Sequence, residues 1–414
     1  MPQPLINISR KQALIFACFL VLYEFLTYIA NDMIMPGMIQ VVHSFDGPES
    51  AIATSLTAYI LGGASLQLIL GPLSDRYGRR PVMISGALLF FLCTVAIACS
   101  NSIDQFLAAR FFQGMGLCFI GVIGYATLQE IFAEMDAIRL IAIMANVATL
   151  APLIGPLVGA VFIHYFNWRI IFVIIGIFAL LALWGLWRFM PEPVGQIKHD
   201  GEEIKRVSLA PRVIADNYKN LIINPSFMLG SVALGLLGLP CVAWIALAPV
   251  ILVNDANLSL IQYGLWQLPV FGAAILGNWF LQKMTHRGSV KKIVLIGSII
   301  AFVSLLLTFI LPFTINSYFV WLMPGLILYF FSLGITGAPL NRLILFSTPV
   351  SKGTTSALMS MVGMCIQAGG IEIANILYRS HNNNLFGLYC ALVGIVYFTL
   401  LSGILFLVRT KKEL

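Results

Sequence analysis

Charge is scarce in this chain. Asp, Glu, Lys and Arg make up 10% of its 414 residues, while 59% are hydrophobic. A soluble domain carries about 25% charged residues and about 45–50% apolar ones, so this chain cannot clothe a water-facing surface. Also missing are the ~10-residue segments of alternating polarity that build a membrane barrel. The apolar residues fall in long runs, which predicts an all-α integral membrane protein. The seven Cys (18, 93, 99, 118, 241, 365 and 390) lie inside those runs without a CxxC, and are read as small packing residues. The five His (43, 164, 199, 286 and 381) are scattered, with no two at ligand spacing, so no metal site is expected. There is no GxxxxGK[ST], HExxH or GxSxG. Nucleotide-driven work and intramembrane hydrolysis are without support, the chain is not read as an enzyme, and no cofactor is expected.

A membrane span needs about 20 apolar residues. Twelve candidates are present, at roughly 13–38, 51–72, 81–100, 103–127, 138–164, 168–190, 226–253, 260–282, 293–312, 317–345, 354–380 and 385–408, called spans 1 to 12. The first is too long and too acidic for a cleaved signal peptide. The net charge of +7 suggests nucleic acid until the bases are placed: twenty of the 24 Lys and Arg fall in the even-numbered connections and the two termini. That is the positive-inside pattern, which predicts a membrane protein with both termini cytoplasmic. Lipid and not nucleic acid is then the partner of the basic surface. The polar stretch 191–220 divides the spans six and six. The expected organisation is a six-helix bundle over 1–190, a cytoplasmic linker over 191–220 and a second six-helix bundle over 221–414, as two pseudo-symmetric halves. A faint internal echo agrees. GPLSDRYGRRPVMISG (71–86) and LQKMTHRGSVKKIVLIG (281–297) each join a turn, a Gly, a basic doublet and an apolar run.

Two acids interrupt the first span, in LVLYEFLTYIANDMIMPG (20–37). At 1.5 Å per residue Glu24 lies near mid-membrane and Asp32 some ~9 Å from the outer end. Span 4 runs the opposite way and sets Arg110 ~10 Å from the same surface. Asp32 and Arg110 thus share a depth, and the ~80° between Glu24 and Asp32 lets both border one cavity. An ionised acid costs at least ~2.5 kcal/mol in lipid, so these groups should face protein or water. Two readings stand for Asp32: a proton-dependent pair with Arg110, or a static pair that fixes helix packing. Glu24 is either a cation-attracting acid and second proton site, or a neutral acid bonded to Tyr23, Tyr28 or Asn31.

Three further motifs carry a resemblance. GPLSDRYGRR (71–80) follows span 2, FLAARFFQGMG (106–116) lies in span 4, and APLIGPLVGA (151–160) lies in span 5. The prolines and glycines of the last loosen backbone hydrogen bonding and admit a close neighbour, at a kinked moving interface or in ordinary small-residue packing. Together the motifs resemble those of the major facilitator superfamily, and the span-5 motif resembles that of its drug–proton antiporters as distinct from uptake symporters. Similarity to multidrug transporters of that group extends over nearly the whole chain.

The resemblance implies a monomeric, proton-driven multidrug efflux antiporter, whose substrates are lipophilic cationic and neutral compounds and whose coupling ion is the proton. The alternative of the same fold is an exporter dedicated to one endogenous metabolite, such as a siderophore or signal molecule. Proton coupling is expected at Asp32, Glu24 and Arg110. The substrate-facing candidates are Glu24, Tyr28, Asn31, Asp32, Gln113, Tyr125, Asn146 and Pro152, with Leu236 and Met361 from the second half. Asp75, Arg79, Glu130 and Arg342 are read as a cytoplasmic gate, or as interfacial charges.

Overall fold

All twelve apolar runs form helix. The structure is a computed structural model that describes residues 4–132, 134–198, 204, 211–285, 290–348, 350 and 352–410, without side chains at 134, 135, 138, 139, 141–143, 145, 146, 148, 149, 211–214, 282, 285, 352 and 404–410. Ten helices among the described residues are long and apolar enough to cross a membrane, and the bent pair Ala51–Ser65 and Gln67–Tyr77 makes an eleventh span. The twelfth position, span 5, is the 32-residue helix Glu134–Tyr165. In the linker, Pro211–Ile223 is helical.

Several spans are broken where the sequence loosens the backbone ladder. Span 1 runs as Arg10–Asp32, then a 3₁₀ turn at Met35–Gly37, then Met38–Ser44. Its start is capped by Ser9, whose hydroxyl accepts from the Gln12 amide at 3.2 Å. Span 2 bends by 41°. At the bend the Ser65 hydroxyl donates to the Gly62 carbonyl at 2.7 Å and the Gln67 side-chain amide to the Gly63 carbonyl at 3.2 Å. Side chains that draw carbonyls out of the ladder are a recognised cause of bends. Span 4 contains a π turn at Ile120–Gly124, and span 7 (Pro225–Pro249) ends in another at Val250–Asp255.

The described residues cluster into two compact units. The first holds 1–34, 58–155 and 165–215; the second holds 35–57, 156–164 and 216–414. Within the first, span 6 (Trp168–Phe189) packs on spans 1 and 3 (Arg79–Ala98), and span 3 on span 4. Within the second, span 12 (Asn383–Thr410) packs on spans 7 and 9 (Val290–Thr314), and span 9 on span 10 (Met323–Leu345). The same pairing thus recurs six spans later. The closest crossings recur too. A Cβ on Gly114 of span 4 would strike the Tyr59 carbonyl of span 2, and one on Gly334 of span 10 would strike the Ala274 carbonyl of span 8 (Leu260–Thr285). These correspondences make two six-helix halves of one architecture.

The second unit gathers its residues from both halves of the sequence. Gly37 fits against the Ile163 side chain, and Gly264 lies against Leu157, whose Cα would be 2.8 Å from an added Cβ. The Met35–Gly37 turn of span 1 also packs on spans 7 and 8, and the Ser50 carbonyl before span 2 accepts from Asn375 of span 11, so the ends of spans 1, 2 and 5 on the side opposite the basic connections are joined to second-half helices.

Gly114→Ala and Gly334→Ala should each cost about 1–3 kcal/mol through overpacking, lowering the thermal midpoint of the detergent-purified protein. Gly337→Ala, with nothing within 4 Å of the new methyl, should leave that midpoint unchanged.

Candidate functional site

The first unit buries a polar chain that starts from Arg110. This guanidinium is fully buried, so it needs partners from the protein. Its Nη2 donates to Asn31 Oδ1 at 2.6 Å, and its Nη1 to Gln113 Oε1 at 2.8 Å and to the Ala30 carbonyl at 3.3 Å. The ring of Tyr59 covers it at 4.5 Å, a cation–π contact. Gln113 passes its amide on to Thr94 Oγ1 at 2.9 Å. Asn31 passes its amide to Asp32 Oδ1 at 3.2 Å. Arginine has only donors and a carboxylate only acceptors, so an amide between them has one favourable orientation: oxygen to Arg110, nitrogen to Asp32.

The direct Asp32–Arg110 pair expected from matching depth is therefore not formed. The depth is right, but Asn31 stands between the two groups, and Ala30 and Gln113 take the other terminal nitrogen under the Tyr59 ring, leaving Nε without a partner among the described residues. Asp32 is 5% exposed and is pressed by span 5. A Cβ on Gly155, in the APLIGPLVGA motif, would lie 2.8 Å from Asp32 Cβ. That glycine lets span 5 reach the acid.

Glu24 is 1% exposed. Its Oε1 accepts from the Tyr125 hydroxyl at 2.7 Å, and its Oε2 has no partner among the described residues. The partner is thus Tyr125 of span 4, and not the local Tyr23, Tyr28 or Asn31. Tyr125 opens the helical turn just after the π turn. A π turn adds a residue and rotates the helix beyond it, and that rotation sets the phenol against span 1. Tyr28 and Pro152 are half-buried in the same unit. Asn146 is a further pocket candidate from the sequence, and its side chain lies outside the described residues. Leu236 of span 7 and Met361 of span 11 (Lys352–Tyr378) are half-buried in the second unit.

Three of the four gate candidates meet. Arg79 bonds Asp75 at 2.5 Å and Glu130 at 2.8 Å, with its Nε 3.2 Å from the second Glu130 oxygen. Arg342 belongs to the second unit, is exposed, and lies over its own Phe346 at 5.0 Å. A fourth group joins them that the sequence reading does not include. Glu192, just past span 6, accepts from the Arg79 and Arg80 backbone amides at 3.0 Å each. It thereby caps the start of span 3. Gly78 sits at φ +105°, and a Cβ there would strike the Glu192 carboxylate. The second glycine of GPLSDRYGRR is explained by that contact.

The sequence model described as the Major Facilitator Superfamily matches residues 20–371. The chain belongs to this superfamily. Among curated relatives, the protein named multidrug transporter MdfA of Yersinia pestis bv. Antiqua (strain Angola) is 42% identical over 403 residues, covering 97% of this chain and 96% of the relative. The protein of the same name from Escherichia coli O6:H1 is 43% identical over 391 residues, covering 94% and 93%. Among solved structures, a D-xylose-proton symporter matches with TM-score 0.70 at 15% identity, over 93% of this chain and 96% of that one. The human organic anion transporter MFSD10 matches with TM-score 0.64 at 17% identity, over 95% and 100%. These two likenesses establish the superfamily fold. The chain is a multi-pass membrane transporter.

Gly78→Ala should lower thermal stability twice over, through the left-handed backbone, at about 1–2 kcal/mol, and through the displaced Glu192 carboxylate. Glu192→Ala combined with Gly78→Ala should recover the steric part alone. The double variant should therefore melt above the sum of the two single losses.

Proposed function

We propose that this chain is a proton-driven multidrug efflux antiporter of a bacterial inner membrane, with both termini cytoplasmic. It exports lipophilic cationic and neutral compounds by alternating access. Membership of the superfamily and the curated relatives named multidrug transporter support the transport of varied small molecules. The observation that carries the proton coupling is the buried relay from Asp32 through Asn31 to Arg110.

Charged Asp32 is a strong acceptor and holds the Asn31 amide. Asn31 in turn offers its oxygen to Arg110. A proton on Asp32 turns that carboxylate into a carboxylic acid, a weaker acceptor, since bonds to ionised groups are about twice as strong as neutral ones. Asn31 is then freed to turn, and Arg110 loses a partner. One proton thus changes the contacts between spans 1 and 4. Glu24, with one oxygen unpartnered among the described residues, supplies the negative charge that a lipophilic cation needs, while Tyr28, Tyr125 and Pro152 offer apolar surface to neutral compounds. Leu236 and Met361 are assigned to the same task from the second half. The joined ends of spans 1, 2 and 5 in the second unit support a state closed to the outside.

Inside-out vesicles with an acid interior and a pH-sensitive dye test this reading. Adding tetraphenylphosphonium or ethidium should release protons with the wild type and not with Asp32→Asn. Glu24→Gln should lose the response to cations at least tenfold and keep that to chloramphenicol. No release with any of these compounds would remove the multidrug claim and leave the single-metabolite exporter as the better reading.

A second comparison separates the relay from a simple charge requirement. Arg110→Lys keeps the charge but lacks the planar fork that reaches Asn31, Ala30 and Gln113 together. Its proton-coupled transport should fall at least tenfold while the protein remains folded by gel filtration.

A further inference from the structure

On the side opposite the basic connections, one imidazole stands between two carboxylates. His381, in the turn between spans 11 and 12, places Nδ1 2.8 Å from Asp255 Oδ1 and Nε2 3.3 Å from Glu49 Oε2. Glu49 comes from the connection of spans 1 and 2, and Asp255 from the π turn that ends span 7. The three meet within the second unit, although Glu49 belongs to the first half of the sequence. Their neighbours hold them in place. The Tyr378 hydroxyl donates to Asp255 Oδ2 at 2.6 Å, and the Asn254 amide donates to Glu49 Oε1. The Asn375 amide donates to the Ser50 carbonyl at 3.1 Å. His381 is fixed at φ +51°, and its N–H bonds the Tyr378 carbonyl at 2.8 Å. A cavity of about 310 Å³ opens beside the cluster, lined by Glu49, Ser50, Leu247, Asn375, Arg379 and His381.

Neutral imidazole has one N–H and one lone pair; imidazolium has two N–H groups. Neutral His381 can serve Asp255 or Glu49 but not both, and the carboxylate left over meets a lone pair. Protonated His381 serves both. The cluster is completed by a proton, and the cavity gives water a route to it.

We propose that Glu49, Asp255 and His381 form a proton-operated clasp over the outer mouth of the transport path, which holds the carrier shut to the outside when His381 is protonated and lets it open when His381 is neutral. This rests on the transporter reading and its outside-facing topology. The charged or titratable groups facing His381 are Glu49, Asp255, Tyr378 and Arg379. Arg379 is a second cation beside the same cavity, so it limits how far Glu49 is left unbalanced when His381 loses its proton. The three clasp residues are 44%, 40% and 23% exposed for His381, Glu49 and Asp255, so water screens the clasp, and its effect on the open-to-closed ratio should be about fivefold.

The test is a distance measurement by pulsed electron spin resonance on full-length carrier in lipid nanodiscs. Spin labels are placed at Ser44→Cys and Ser380→Cys, two exposed positions flanking the clasp, after the native cysteines are replaced. The background carries Asp32→Asn so that the relay of spans 1 and 4 does not titrate. From pH 6 to pH 8 the open-to-closed ratio should rise about fivefold. His381→Asn should abolish the pH response; asparagine tolerates the left-handed backbone, so the turn is kept. Glu49→Gln should raise the open population at pH 6, and provides the reading if His381→Asn does not fold. An unchanged pH response in His381→Asn, or none in the Asp32→Asn background, would overturn the clasp. The distances need no substrate and no transport, so failure here is distinct from failure of the antiporter reading.

Discussion

A guanidinium with no access to water has to be fed hydrogen bonds by the protein, and most of the first unit can be traced to that demand. Arg110 draws Asn31 and Ala30 from span 1, Gln113 from its own helix and the ring of Tyr59 from span 2. Tyr59 in turn bonds the Thr27 carbonyl at 2.5 Å. Spans 1, 2 and 4 are therefore tied through one cation. The small residues around it, Gly62, Gly114 and Gly155, are what allow the helices near enough to do so. Removing one partner from such a network is expensive, because a buried charge is left unmatched. In the function proposed above, a proton on Asp32 perturbs it reversibly, which is the property a coupled carrier needs.

The same economy recurs at the two opposite ends of the spans. Arg79 collects Asp75, Glu130 and, through its backbone, Glu192. His381 collects Glu49 and Asp255. In each place a scarce charge joins segments far apart in the chain. In a protein with so few charges, those groups mark where distant segments are held to one another. The apolar faces contribute less to specificity, because lipid tails are as apolar as leucine and offer helices no hydrophobic reason to associate.

Much of this was legible in the sequence. Hydropathy located the twelve spans, since a helix is the one single-segment way to cross lipid without unmet backbone groups. Depth along ideal helices put Asp32 and Arg110 at one level, and the loop after span 2 announced Arg79 and Asp75. Rotation was not legible. Whether Asn31 or Asp32 faces Arg110 depends on an angle of about 100° between neighbours, and depth says nothing about it. Tyr125 is a site candidate from the sequence, but its bond to Glu24 depends on a π turn that no local signal in IGVIG announces. Glu192 and His381 escape sequence reasoning for a different reason. Their partners lie more than a hundred residues away in the chain, in polar connections where hydropathy carries no pattern.

In the proposed mechanism Asp32 carries the coupled proton and gives it up when substrate binds. Infrared difference spectroscopy of the purified carrier tests this most directly, by recording the protonated-carboxyl C=O stretch as tetraphenylphosphonium is added. One such band should be lost in the wild type, no band should be lost in Asp32→Asn, and the same loss should occur in Glu24→Gln when chloramphenicol replaces the cation. A binding response with no change in any carboxyl band, or the same band lost in Asp32→Asn, would contradict it.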